Sequence, residues 1–351
     1  MSKLQVFQEG DKFFAKTKTD YITTPGGVSD EYRYLYGRQV EVLRQAKHIV
    51  PYAVGYGNTA NFVFFSDIHG DGINLERIVK FWKSLPYEID CLCGGDMVQY
   101  VPGSSAMNFW KNIPGTEDIL TCVGNHDDMG AGAANCYQYY FADNIASWGV
   151  SYTPNLCYYY KDYAAQNLRL IVLDCMNWTT AQRDWLVSAL SGARTAGYHV
   201  ICMNHKIAGP GAEMRNCTFD TIGVSNIYLA DSIDAQAPAA VQDFIDAGGN
   251  FVCWLAGHIH SDVFRVCTAY PKQLNIIVAC ACMVDHVSSA AGGQLARVEN
   301  TKSQDLFDLI SVNTDFSFVC VSRVGADYDN FGRHIGGLVY DYANHELLWN
   351  D

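Results

Sequence analysis

The chain has 351 residues, 49% of them hydrophobic and 17% charged, which is enough apolar material for a large core and too little charge for a disordered polymer. With 24 Lys and Arg against 37 Asp and Glu, the formal net charge of -13 opposes a phosphate backbone and argues against nucleic acid as a partner. The longest apolar stretch, 276–284, is far short of the ~18 residues that span a bilayer, so no membrane association is expected.

Residues 1–57 read as an arm and a helix packing on the main domain. The arm is punctuated at "TTPGGVSD", and Tyr32, Leu35, Tyr36, Val40 and Leu43 give helical spacing after a cap at Ser29 or Asp30. No apolar h-region precedes them, so a cytoplasmic location is expected. A main domain over 58–325 opens with "NFVFFSD", and strand-like and helix-like segments alternate from there. Strands are expected at 62–65, 89–93, 119–123, 169–173, 199–203, 250–255, 274–279, 306–312 and 316–322. Helices are expected around 73–84, 104–112, 131–147, 179–194 and 234–247. The strand-dense last part predicts a second sheet packed on the first. The fold class is therefore α/β, as a four-layer α/β/β/α sandwich of two mixed β-sheets flanked by helices, with residues 326–351 as a C-terminal tail.

The chemistry lies where the strands stop. "FVFFSDIHGD", "CLCGGDMVQY", "ILTCVGNHDD", "VICMNHK" and "FVCWLAGHIHSD" each run from an apolar strand into metal-ligand residue types. Side chains at the carboxyl ends of neighbouring strands converge on one crevice. The intervals Asp67 to Asp96 and Asp96 to Asn125 are both 29 residues, one strand-helix-strand unit each, so successive ligands arrive at the same sheet edge. The 13 cysteines are an odd number scattered through apolar runs, and read as small buried hydrophobes of a reducing compartment. The pairs Cys91 with Cys93 and Cys280 with Cys282 lack the further Cys or His of a thiolate site, and are expected to pack in the core.

The ordered set D-x-H, G-D, G-N-H-D, strand-terminal His and G-H-x-H resembles the calcineurin-like metallophosphoesterase superfamily over residues 61 to about 262. "GGDMVQY" lacks the Arg of the serine/threonine protein phosphatases, so the resemblance is closer to the phosphodiesterase and purple-acid-phosphatase-like branch. It implies one metal held by Asp67, His69, Asp96 and His260, and another held by Asp96, Asn125, His205 and His258, with Asp96 bridging. Mixed imidazole and carboxylate ligands suit two divalent or trivalent ions of Mn, Fe, Zn or Ni. The resemblance further implies hydrolysis of a small phosphomonoester or phosphodiester by a metal-bridging hydroxide. His126 is placed to protonate or stabilise the leaving oxygen, with Asp127 or Asp128 orienting its imidazole. Lys206 and Arg215 are candidate substrate contacts, and the loop from Ala208 to about Ala239 is a candidate specificity insertion. The alternatives are a catalytically weak metal-binding or assembly protein that keeps the fold, and a nuclease of the same superfamily.

Overall fold

A computed structural model describes residues 6–9, 12–15, 58–85, 89–99, 106–209, 232–260, 263–267, 269–278, 280–282, 297, 304–326 and 337–350. The expected N-terminal helix, Arg215 and most of the 208–239 loop lie outside the described residues. Two short strands, β1 (Val6–Glu9) and β2 (Lys12–Ala15), form an antiparallel hairpin.

Two seven-stranded mixed sheets follow. One contains β3 (Thr59–Phe65), β4 (Asp90–Cys93) and β5 (Leu120–Thr121), all parallel. It is extended on the β3 side by the antiparallel strands β13 (Leu306–Asn313), β14 (Phe318–Gly325), β15 (Gly337–Asp341) and β16 (Glu346–Asn350). Residues 337–350, expected as tail, thus supply two strands of this sheet. The other sheet runs β11-β12-β10-β9-β8-β7-β6. In it β8 (Leu168–Val172), β9 (His199–Met203), β10 (Phe251–Ala256) and β12 (Tyr270–Ile277) are parallel. The remaining strands, β6 (Ser151–Tyr152), β7 (Tyr159–Tyr163) and β11 (Val263–Cys267), pair antiparallel.

The inner faces of both sheets meet in one buried cluster that includes Phe62, Phe64, Val172, Met203, Leu255 and Ile310. Burial of such side chains is the main favourable term in folding, about 25 cal/mol per Å² of apolar area. Helix α1 (Gly72–Ser84) covers the β3 sheet. Leu75, Ile78, Val79 and Trp82 recur at helical spacing on its buried face, and the Asp71 carboxylate caps it by accepting from Asn74 N at 3.0 Å. On the other sheet, α5 (Thr180–Ala196) and α6 (Gln236–Asp246) bury Leu186, Leu190, Val241 and Phe244 in a second cluster. Thr179 caps α5, and Gly197 ends it at a left-handed φ of 74°. The four-layer arrangement is thus the observed one.

The helix expected over 131–147 is broken. Only α4 (Ala133–Cys136) is α-helical, followed by a π turn over Tyr137–Phe141 and a 3₁₀ turn over Ile145–Ser147. The wider turn brings Phe141 against Trp148 and Tyr159 and lets the Tyr140 hydroxyl donate to the Asp127 carbonyl at 2.9 Å. Aromatic packing overrides helical continuity here. Other short helices are α2 (Asn108–Lys111) and α3 (Asn125–Asp128), the latter carrying the G-N-H-D block.

Candidate metal centre

All seven expected ligands sit just beyond the carboxyl ends of parallel strands: Asp67 and His69 after β3, Asp96 after β4, Asn125 after β5, His205 after β9, and His258 and His260 after β10. The loops bearing them hydrogen-bond to one another as an extension of the sheets. Asp67 N donates to Gly95 O at 3.0 Å, His69 N to Asp96 O at 3.0 Å, and Gly257 N to His205 O at 3.0 Å.

Five of the seven, Asp67, His69, Asp96, His258 and His260, have positive φ between 46° and 69°. Non-glycine residues rarely adopt this region, and a cluster of them marks backbone aimed for a purpose other than stability. Two glycines make the approach feasible. A Cβ at Gly124 would lie 2.1 Å from Asp96 Oδ1, and one at Gly257 would lie 1.9 Å from Ser66 Oγ and 2.3 Å from Asp67 Oδ2.

One donor atom each from Asp67, His69, Asp96 and His260 all lie within 4.8 Å of one another. His260 Nε2 is 3.3 Å from Asp67 Oδ1, and His69 Nε2 is 3.1 Å from His260 Nε2. His205 Nε2 is 3.3 Å from Asp96 Oδ2, the oxygen that His69 Nε2 approaches to 3.9 Å, and 3.0 Å from Asn125 Oδ1. The His258 ring centroid lies 5.0 Å from that of His205. The His205 Nδ1–H donates to Gly94 O at 2.8 Å, which leaves Nε2 facing Asp96.

The electrostatics fit a cation. Asp67 and Asp96 are 0% and 1% exposed, and among the described residues their ion-pair partners are imidazoles, with no Lys or Arg. Burial works to raise the Asp67 carboxyl, but the hydrogen bond and charge of His260, with His205 and His69, hold it well below the usual range. Burial likewise opposes ionisation of Asp96, and His205 and His69 bring it down. Burial lowers the His205 imidazole, yet Asp96 and Asp67 outweigh that and raise it to about 9. Two fully buried carboxylates need compensating positive charge. Two carboxylates, four imidazoles and one amide are a donor set for first-row transition metals, and the residues present fit such ions.

His126 is partly exposed, its ring centroid 4.7 Å from that of His69 and its Nε2 3.9 Å from Asp96 Oδ2. Its main-chain N–H donates to Asp96 Oδ1 at 2.8 Å. The ring Nδ1 meets the Gln99 carbonyl rather than an acidic side chain. Asp127 has a different place from the expected one. Its two carboxylate oxygens accept from Val98 N at 3.0 Å and Gly124 N at 2.9 Å, so it ties the β4 and β5 loops together. Burial and the nearby Asp96 charge push the Asp127 carboxyl up to about 7. Asp128 accepts from the main-chain N–H groups of Gly130 and Gly132 and from Asn177. Neither acid orients the imidazole; the Gln99 carbonyl, a main-chain group that motif reading passes over, takes that position. Lys206 is partly exposed, directly after His205.

The 11 described cysteines are all buried, as expected of core packing. The Cys280 thiol also lies within 4.8 Å of ring nitrogens of His69 and His260. The signal for it was available, since Cys280 follows a parallel strand as the ligands do.

The family model described as calcineurin-like phosphoesterase matches residues 60–262. Among solved structures, a dimetal phosphatase from Danio rerio superposes with a TM-score of 0.53 at 11% identity, covering 81% of this chain and 99% of that one. A 5'-nucleotidase precursor from Thermus thermophilus aligns at 11% identity and a TM-score of 0.34, over 80% of this chain and 54% of that one. No curated protein matches the sequence.

Proposed function

The chain belongs to the calcineurin-like phosphoesterase family, and from that premise we propose that it hydrolyses a small phosphomonoester or phosphodiester with two transition-metal ions. The observation that carries this is the convergence of Asp67, His69, Asp96 and His260 within 4.8 Å, with His205 Nε2 also against the same Asp96 carboxylate and Asn125 against His205. Asp67, His69, Asp96 and His260 would hold one ion, and Asp96, Asn125, His205 and His258 the other. When bound, the ions supply Lewis acidity and an activated water.

The chain's own groups do the rest. Asp96 would serve both ligand sets: its Oδ2 is 3.3 Å from His205 Nε2 and 3.9 Å from His69 Nε2, and its Oδ1 accepts from His126 N. His126 is partly exposed beside His69, and its Nε2 would deliver a proton to the leaving oxygen while Nδ1 is held by Gln99 O. Two divalent ions with two carboxylates leave net positive charge at the site, so a compact phosphate ester is attracted there despite the chain's net charge of -13. Lys206 follows His205 directly in sequence, is partly exposed, and is assigned to substrate contact.

The test is metal analysis of the purified chain together with hydrolysis of aryl phosphate mono- and diesters in added Mn, Fe, Zn or Ni, run beside Asp96→Asn. The reading requires metal-dependent turnover in the wild type and its loss in the variant. Full activity in Asp96→Asn, or two bound ions with no hydrolysis of either ester class, overturns it.

A further inference from the structure

We propose that Cys280 is an additional metal ligand, its thiolate joining His69 and His260 on one ion of the centre; this rests on the two-metal reading above. Strand β12 runs parallel to β10, so its carboxyl end delivers residue 280 to the edge where β10 delivers His258 and His260. One donor atom each from His69, His260 and Cys280 lie within 4.8 Å of one another, the spread expected of ligands around a single ion with bonds of about 2.0–2.3 Å. Cys280 itself is 2% exposed.

The thiol is held in place by a built network. Ala281 N donates to Ser66 O at 2.9 Å and Cys282 N to Asp67 O at 3.2 Å, which ties the loop after β12 to the loop bearing the first ligands. From the other side, the Arg297 guanidinium donates to the carbonyls of Cys280 at 2.9 Å, Ala281 at 2.9 Å and Cys282 at 2.7 Å. A partly buried arginine that donates to three consecutive carbonyls, and to Gln304 O as well, fixes the backbone from which Sγ projects.

The exchange on binding balances. Cys280 Sγ–H donates to Asp67 O at 2.9 Å. Metal binding forms the sulfur–metal bond and releases the thiol proton to solvent. Asp67 O keeps the Cys282 N–H, so no buried carbonyl is left without a donor. A thiolate beside two imidazoles selects softer ions, favouring Zn or Fe over Mn at this position.

The experiment is the electronic spectrum of the full chain loaded with Co(II). Imidazole and carboxylate ligands give weak visible bands, whereas a thiolate adds an intense near-ultraviolet charge-transfer band. Wild type is expected to bind two cobalt ions per chain and show that band. Cys280→Ser is expected to lose the band and about tenfold or more in affinity for one ion, while Cys282→Ser keeps both. Two bound cobalt ions with visible bands and no charge-transfer band in the wild type overturn the thiolate ligand and leave the two-metal reading standing. Failure to bind cobalt at all removes both. Should Cys280→Ser fail to fold by circular dichroism, the spectra of wild type and Cys282→Ser decide the matter alone.

Discussion

Gly257→Ala is the most direct probe of how the strand-end loops set the metal centre. The added methyl would lie 1.9 Å from Ser66 Oγ, 2.6 Å from Ser66 Cβ and 2.3 Å from Asp67 Oδ2, where ordinary contact begins at 3.4 Å. Relief requires Ser66 to turn aside and the Asp67 carboxylate to retreat by about 1.1 Å, the difference between 3.4 and 2.3 Å. That carboxylate also accepts from His258 N at 3.2 and 3.0 Å, so its retreat disturbs the G-H-x-H loop as well. A shift of about 1 Å in a reacting constellation costs on the order of 100-fold, or about 2.8 kcal/mol at about 1.4 kcal/mol per tenfold. The expected outcome is therefore about a 100-fold loss in turnover of an aryl phosphate, with weakened metal binding by calorimetric titration. Adding Ser66→Gly removes the serine part of the clash, so the double variant regains thermal stability but not metal affinity, because the Asp67 contact remains. If Gly257→Ala alone binds metal and turns over within twofold of wild type, the close approach of Gly257 to Asp67 does not set the site.

His126→Ala is expected to keep its metal content by elemental analysis and to lose about 10²–10³ in turnover for esters with poor leaving groups, and far less for p-nitrophenyl esters; equal losses for both would remove the leaving-group role. Asp127→Asn replaces an acceptor of two main-chain N–H groups, and the expected result is a loss of about 1–3 kcal/mol in denaturant unfolding rather than a selective loss of catalysis. Far from the site, burial lowers the His199 imidazole to about 4, against a small opposing effect of Asp315. Its folded pKa lies below the unfolded value of about 6.5, so its contribution is complete above pH 6.5 and is lost as pH falls toward 4, at about 1.4 kcal/mol per pH unit and up to about 3 kcal/mol. His199→Asn gives up the Tyr342 hydroxyl contact at 2.7 Å but is expected to flatten this acid loss in urea unfolding measured between pH 7 and pH 4.5; an unchanged pH slope would refute it.

The central strands and the outer helices were legible because their residues obey a single period. In Phe62–Phe65 and His199–Met203 burial is continuous, as expected of parallel strands covered on both faces. The ligand blocks were legible for a related reason: a metal needs particular donors, and strand ends are where a sheet presents them together. Strands β6 and β7 escaped notice because they form the antiparallel end of their sheet and carry polar residues, as in "YYKDY", so they resemble loops in composition. The 131–147 segment has apolar residues at helical spacing, but Gly132 sits at a left-handed φ of 80° and the aromatics pack against Trp148 and Tyr159 instead of continuing one helix. The Gln99 carbonyl beneath His126 was invisible in principle, since any residue offers the same carbonyl. Cys280 was passed over for a different reason, because a thiol inside "IIVACACMV" has the composition of core whether or not it faces a ligand cluster.

The backbone at the centre shows what holds those donors together. Left-handed φ at a non-glycine residue costs roughly 1–3 kcal/mol, so the five such ligand residues together store an amount comparable to the ~5–15 kcal/mol net stability of a typical domain. Such strain persists only where surrounding bonds over-determine the conformation. Here Asp67 N, His69 N and Gly70 N donate in turn to the carbonyls of Gly95, Asp96 and Met97, and the loops leave strands whose last residues, Phe62–Phe65 and Cys91–Cys93, are fully buried. A ladder of this kind cannot be built on mobile surface loops, whose local opening costs less than the strain they would have to carry. The ligands therefore lie within a few residues of the strand ends, and the acidic net charge of the chain has little bearing on a centre whose donors are set by sheet geometry.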